Sequence, residues 1–378
     1  MRLPEFELER YFARWEFTAP HLLCTSDVEG WRMRDLLALA DDDARARWES
    51  LTVGYTESAG LPALRRAIAE LYAGIAAEEV LTFAGAEEAV FVTLNALLGP
   101  GDHAVVTWPA YESLVTVARA TGAEVSLLEL RPERGWLPDP GELAALLRPE
   151  TRVVAVNFPH NPTGALPDGA TFRRLAALAD DAGAWFLSDE VYRWLEHDPT
   201  DRLPAAAELP GRTISLGVLS KSFGLAGLRL GWVAARDREL LARLAAFKDY
   251  TSICSSAPSE VLGLIALRAR ETVLARSRTI VETNLALLDP FFARWAGVLS
   301  WVRPRAGCIG FPRLQLRKPV ERFAAELVER AGVLLLPGTV YGHPGNHFRL
   351  GFGRTDFAAG LERFERYLEG LTVADMRG

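Results

Sequence analysis

A lysine set among small and apolar residues, Val218-Leu219-Ser220-Lys221-Ser222-Phe223-Gly224-Leu225-Ala226-Gly227-Leu228-Arg229-Leu230-Gly231, is the first place where this sequence could do chemistry. Apolar surroundings and neighbouring cations loosen the proton of an ammonium, and the free amine can then form a Schiff base with a carbonyl. Eight residues on, Arg229 offers a planar fork that matches phosphate oxygens. Asp189, in Ser188-Asp189-Glu190-Val191-Tyr192, puts a carboxylate at the end of an apolar run, where it needs a partner. Asn161 lies in Phe158-Pro159-His160-Asn161-Pro162-Thr163-Gly164, a loop stiffened by its prolines. Ala84-Gly85-Ala86-Glu87 is a small-residue turn that opens a helix, where free N–H groups and the helix dipole suit a phosphate. Singly, each feature has a plainer explanation: Asp189 could pair with Lys221 or Arg229, and Gly85 could merely turn the chain. Their joint occurrence after successive strands favours a ligand site.

The elements that must carry these residues follow from the apolar pattern. Strands are expected at 80–83, 103–107, 124–130, 152–157, 185–188, 212–217 and 231–234, alternating with helices such as 87–98, 110–121 and 171–182, the last closed by Gly183. That alternation predicts a doubly wound, mostly parallel seven-stranded sheet covered by helices. After about residue 260 a long helix is expected over 259–295, then strands near 299–302, 309–316, 333–336 and 347–352, with helices over 319–331 and 355–368. The expected division is a large domain over 41–260 and a smaller α+β domain built from 1–40 and 261–378.

Composition narrows the partners. The 378 residues are 49% hydrophobic and 24% charged, with a net charge of −7, which excludes wholesale disorder and makes nucleic acid a poor partner. Cys24, Cys254 and Cys308 are odd in number and far apart, so neither a disulfide framework nor a metal cluster is expected. No apolar run approaches the roughly 18 residues of a membrane span. A cytoplasmic protein without membrane contact is the expectation.

Seven ordered motifs together resemble the fold-type I pyridoxal-phosphate enzymes, specifically the class I/II aminotransferase family, over residues 27–367. They are Tyr55-x4-Gly60-x3-Leu64-Arg65, Gly85-Ala86-Glu87, Trp108-Pro109-x-Tyr111, Asn157-x-Pro159-x-Asn161-Pro162-Thr163-Gly164, Asp189-Glu190-Val191-Tyr192, Ser220-Lys221 through Arg229-Leu230-Gly231, and Phe348-Arg349-Leu350-Gly351. The resemblance implies pyridoxal 5'-phosphate as cofactor, with Lys221 as Schiff-base lysine and proton shuttle. It implies Asp189 at the pyridine nitrogen, Asn161 and Tyr192 on the phenolic oxygen, and Trp108 stacked on the ring. Phosphate would be held by the N–H groups of Ala86 and Glu87, by Ser220 and Arg229, and by Tyr55 from a neighbouring subunit, which implies a homodimer. Arg349 would clamp the substrate α-carboxylate, with Asn161 beside it. The reaction so implied transfers an amino group between an α-amino acid and a 2-oxo acid through an internal aldimine on Lys221 and a pyridoxamine form.

The sequence also departs from the family pattern. Val218 stands where a hydroxyl often contacts phosphate, leaving more to Ser220. Asp27 replaces a small residue in a stretch that lies over the substrate, where it either attracts an amino or guanidinium side chain or caps a helix. Residues 249–258 carry no arginine of the kind that aspartate-selective relatives place against the distal carboxylate. The same scaffold supports lyase, cyclase and decarboxylase chemistry, so these stand as the alternative to transamination. A non-catalytic regulatory protein is the third reading, and no basic helix-turn-helix stretch precedes the motifs to favour it.

Overall fold

The computed structural model describes residues 3–371. Seven strands form one sheet: β1 (Val80–Phe83), β2 (His103–Trp108), β3 (Glu124–Glu129), β4 (Thr151–Asn157), β5 (Trp185–Asp189), β6 (Thr213–Val218) and β7 (Gly231–Ala234). Their order is β1-β7-β6-β5-β4-β2-β3, and every pair is parallel except those of β7, which runs against both β1 and β6. β1, β6 and β7 are buried along their whole length, as strands covered by helices on both faces must be. This is the expected α/β architecture of the fold-type I enzymes.

The register brings the strand ends to one edge. Asn157 at the end of β4 faces Asp189 at the end of β5, and Val218 at the end of β6 faces Gly231 at the start of β7. Gly231 in turn faces Phe83, the last residue of β1. Because β7 runs backwards, the residues that precede it arrive beside those that follow β1 and β6.

Six helices frame that edge: α1 (Glu7–Trp15), α2 (Ala86–Leu97), α3 (Glu112–Ala120), α4 (Gly169–Asp181), α5 (Ala257–Arg268) and α6 (Arg270–Arg294). The Asp168 carboxylate caps α4 by accepting from the N–H of Thr171 at 2.7 Å, and Gly183 follows in the left-handed region at φ +73°. The expected single helix over 259–295 is two helices, α5 and α6, that turn at Ala269 (φ −93°, ψ 20°). No glycine or proline marks that turn; the first turns of α6, with Val273 and Leu274, stay in the cluster of α5, and only the later part leaves it. Val261, Leu264 and Ile265 of α5 lie in one apolar cluster with Leu64, Ile68 and Trp232, while Ile280, Leu285 and Leu288 of α6 join another with Phe323 and Phe364. The expected domain boundary at 260/261 therefore falls inside α5.

The expected strand over 309–316 is split into Ile309–Gly310 and Arg313–Leu314 around Pro312, which has no N–H to give a ladder. The one over 333–336 is likewise two short pieces, Val333–Leu334 and Leu336–Pro337. The strand Phe348–Gly351 lies between Ile309–Gly310 and Leu336–Pro337 and carries Arg349. The N-terminal segment runs alongside: His21–Leu22 pairs with Val333–Leu334, and the N–H of Gly351 donates to the carbonyl of Leu23 at 3.0 Å. A Cβ at position 351 would sit 1.9 Å from the Thr25 carbonyl oxygen, so glycine is what permits this approach. Upstream, Tyr11 of α1 donates to the Leu335 carbonyl at 2.7 Å, which fixes α1 over the sheet edge. No helix among the described residues is long and apolar enough to cross a membrane.

Candidate active site

The residues at the sheet edge enclose a cavity of about 310 Å³, walled by strand ends below and by Leu8, Glu9, Phe12 and Glu16 of the α1 segment above. At one end lies the turn after β1. Gly85 has φ +92°, and α2 starts with no side-chain cap on its N-terminal N–H groups. The Arg229 guanidinium is laid against this turn: a Cβ on Gly85 would meet Arg229 Nη2 at 2.8 Å, and one on Gly231 would meet the Gly85 carbonyl carbon at 2.7 Å. Two glycines thus leave a concave surface bounded by first-turn N–H groups, Ser220 and a guanidinium, which has the shape and charge to take a phosphate dianion. Burial pushes the neighbouring Glu87 carboxyl up to about 7, which lowers its repulsion of an anion there.

In the middle of the cavity Asp189 accepts from the N–H of Val191 at 3.1 Å, and burial pushes its carboxyl up to about 6. A buried carboxylate in this state gains from any cation brought against it. Asn157 fixes the surroundings: its Nδ2 donates to the Asp189 carbonyl at 3.0 Å and its Oδ1 accepts from the N–H of Asn161 at 2.7 Å. Lys221 Nζ donates to Ser26 Oγ at 2.9 Å, and burial pushes its pKa down, Arg349 adding to the effect while Asp27 opposes it. The Tyr192 hydroxyl donates to the Ser26 carbonyl at 2.9 Å, so Ser26 holds both groups.

At the other end Arg349 is 1% exposed. Its Nε donates to the Cys24 carbonyl at 2.9 Å, and its Nη1 donates to Asn161 Oδ1 at 3.4 Å and to the Tyr341 hydroxyl. Tyr341 passes its own proton to Asn161 Oδ1 at 3.1 Å. Among the described residues none takes a hydrogen bond from Nη2, which leaves a pair of N–H donors for a ligand carboxylate.

Of the residues expected from sequence, Ala86, Glu87, Asn161, Asp189, Tyr192, Ser220, Lys221, Arg229, Arg349 and Asp27 all line this one cavity. Two do not. Trp108 is stacked on His343, with ring centroids 5.3 Å apart, and Tyr111, three residues on, lines the cavity in its place. The indole is claimed by packing with a distant part of the chain, while Tyr111 stands immediately before α3 and turns inward. Tyr55 is 90% exposed and lies outside its own chain's cavity. Asp27 caps no helix, because the next one begins only at Met33; its Oδ1 accepts instead from Arg354 Nη2 at 2.9 Å, which balances its charge. Reading the sequence missed Ser26, Asn157, Tyr341 and the whole of α1 as parts of the site. Only Asn157 left a signal, as the first residue of the Asn-x-Pro-x-Asn motif.

The fit to known proteins accords with this arrangement. The family model "Aminotransferase class I and II" matches residues 30–361. Capreomycidine synthase of Streptomyces vinaceus is 33% identical over 362 residues, covering 95% of this chain and 92% of that protein. Arginine–pyruvate transaminase AruH of Pseudomonas aeruginosa is 33% identical over 365 residues, covering 90% of each. The crystal structure of the PLP-dependent cyclase OrfR superposes with a TM-score of 0.90 at 34% identity, covering 98% of each chain.

Proposed function

The chain belongs to the class I and II aminotransferase family, whose cofactor is pyridoxal 5'-phosphate, and on that premise we propose that it transfers an amino group between an α-amino acid and a 2-oxo acid. The observation that carries this is the convergence of Lys221, Asp189 and Arg349 on one cavity roofed by α1. When bound, the cofactor supplies a carbonyl that condenses with amines and a ring that accepts the electron pair of the substrate α-carbon.

The chain's own residues divide the remaining work. The N–H groups of Ala86 and Glu87, with Ser220 and Arg229, would hold the phosphate in the cradle left by Gly85 and Gly231, and Tyr55 of the partner subunit would complete it in a homodimer. Asp189 would face the ring nitrogen of the bound cofactor, where its carboxylate would favour the protonated, electron-drawing ring. Asn161 and Tyr192 would serve the phenolic oxygen, and Tyr111, which lines the cavity where Trp108 does not, would cover a ring face. Arg349 takes the substrate carboxylate through its free Nη2 pair, held in place by Cys24, Asn161 and Tyr341. Lys221, whose pKa burial pushes down, is the group placed to remove the α-proton and return it elsewhere. Leu8 and Phe12 roof the site and keep water from the reacting atoms. We also propose the division into a large domain over 41–260 and a smaller one built from 1–40 and 261–378.

The test is to mix the cofactor-loaded protein with single amino acids in the absence of any oxo acid and assay the released 2-oxo acid. About one equivalent per site supports transamination; turnover of the amino acid without oxo acid supports a cyclase or lyase reaction instead. That second reading is favoured by two of the similar proteins, one named a synthase and one a cyclase.

A further inference from the structure

The charges on the cavity wall do not balance, and the imbalance sits on the roof. Arg349 at one end is committed to the Cys24 carbonyl, Asn161 and Tyr341; Lys221 is held by Ser26; Arg229 lies at the phosphate cradle. Asp27 is matched by Arg354 and Asp189 is reserved for the ring nitrogen. Three carboxylates of the wall remain: Glu87, which burial pushes up to about 7 beside the phosphate cradle, and Glu9 and Glu16 on the roof, neither of which has an ion-pair partner among the described residues. Glu9 and Glu16 are seven positions apart, two turns of one helix face, with Phe12 between them. The groups that act on Glu16 from every side are Asp27 and Glu9, which repel it, and Arg354 and Arg349, which attract it. Arg349 is itself destined for the substrate carboxylate, so once that pair has formed the roof is left with uncompensated negative charge.

An α-amino acid whose carboxylate is fixed at Arg349 and whose amine reaches toward Lys221 has its side chain to accommodate along the remaining wall. Leu8 and Phe12 offer apolar surface for a methylene stem, and the two carboxylates offer a terminus for a cation. Glu16 is half-buried and Glu9 exposed, so an aliphatic side chain would cover Glu16 without matching its charge, and an acidic one would be repelled by both. We propose that Glu9 and Glu16 make this enzyme selective for amino acids whose side chains end in a cation, a guanidinium or an ammonium. The proposal rests on the transamination reading for the substrate's orientation, while its own content is the binding preference.

The test compares L-arginine with L-citrulline, and L-lysine with L-2-aminoheptanoic acid, in each case the same shape with and without the charge. Wild-type protein loaded with pyridoxal phosphate is expected to prefer the charged member of each pair by about tenfold or more, in Kd from calorimetry and in kcat/KM where turnover occurs. In the Glu9→Gln/Glu16→Gln double variant the ratio is expected to fall to within about threefold, and Glu16→Lys is expected to reverse it, favouring citrulline over arginine. Arginine and lysine as ligands separate a guanidinium requirement from a general one for positive charge. Preferential binding of the cations without oxo acid release would sink transamination and leave the selectivity standing. Equal or undetectable binding of charged and neutral members, or ratios unmoved in both variants, would overturn the selectivity even if other amino acids were transaminated.

Discussion

Replacing Asp189 by Asn should make the cofactor-free protein more stable while weakening its hold on the cofactor, and the size of the first effect follows from burial. The Asp189 carboxyl is raised from 3.8 to about 6, chiefly by desolvation. At about 1.4 kcal/mol per unit, keeping it ionised in the fold costs about 3 kcal/mol at neutral pH. The folded protein holds this proton to higher pH than the unfolded chain does. The penalty is therefore absent below the unfolded pKa of 3.8, grows as the pH rises to about 6, and is full above that. Asn keeps an oxygen to accept the N–H of Val191 and carries no charge. With an unfolding entropy of roughly 0.8 kcal/mol per degree for a chain of this length, Asp189→Asn should raise the apo melting temperature by about 4 °C at pH 8 and by almost nothing near pH 4. Adding pyridoxal phosphate should then raise the wild type further than the variant, because only the wild type gains a cation against its carboxylate. The measurement is thermal unfolding of stripped and loaded protein at both pH values. A variant no more stable than wild type at pH 8, or an equal gain at both pH values, refutes the reasoning.

Lys221→Ala should remove both turnover and the covalent adduct that borohydride traps between protein and cofactor; a surviving adduct would reassign the lysine. Arg349→Ala should raise the KM for the amino acid by about two orders of magnitude while the cofactor's visible absorbance persists, and an unchanged KM would move the carboxylate site. Gly85→Ala demands a strained φ and pushes its Cβ onto the Arg229 guanidinium, so the Kd for pyridoxal phosphate, read by absorbance titration, should rise about tenfold or more. Tyr111→Ala should weaken cofactor binding more than Trp108→Ala does, and the opposite ranking would restore the indole to the ring face.

The strand ends were legible because each joins an apolar run to a residue type that is costly to bury without a use: Lys221, Asp189 and Asn161 all stand at such junctions. The antiparallel turn of β7 was not, since its four residues read the same in either direction. Trp108 and Tyr111 are both aromatic and three positions apart, and which ring faces the cavity is decided by His343, more than two hundred residues away. Ser26 and Tyr341 escaped notice because their roles come from tertiary contacts, Ser26 through a hydroxyl and a carbonyl, Tyr341 through a phenol bound to Arg349. The α1 pattern reads as an ordinary amphipathic helix; that its apolar face covers the cavity comes from tertiary contacts such as that of Tyr11 with the Leu335 carbonyl. The break between α5 and α6 had no glycine or proline to announce it.

The pairing of Val218 with Gly231 closes a loop whose two ends belong to adjacent strands, and both Lys221 and Arg229 lie within it. The spacing between the Lys221 amine and the Arg229 guanidinium is thus set largely by one short stretch of chain. The roof that meets the substrate side chain comes from residues about two hundred positions earlier. A chain divided in this way can exchange one amino acid for another as substrate by rewriting its first few turns, and inherit the chemistry untouched.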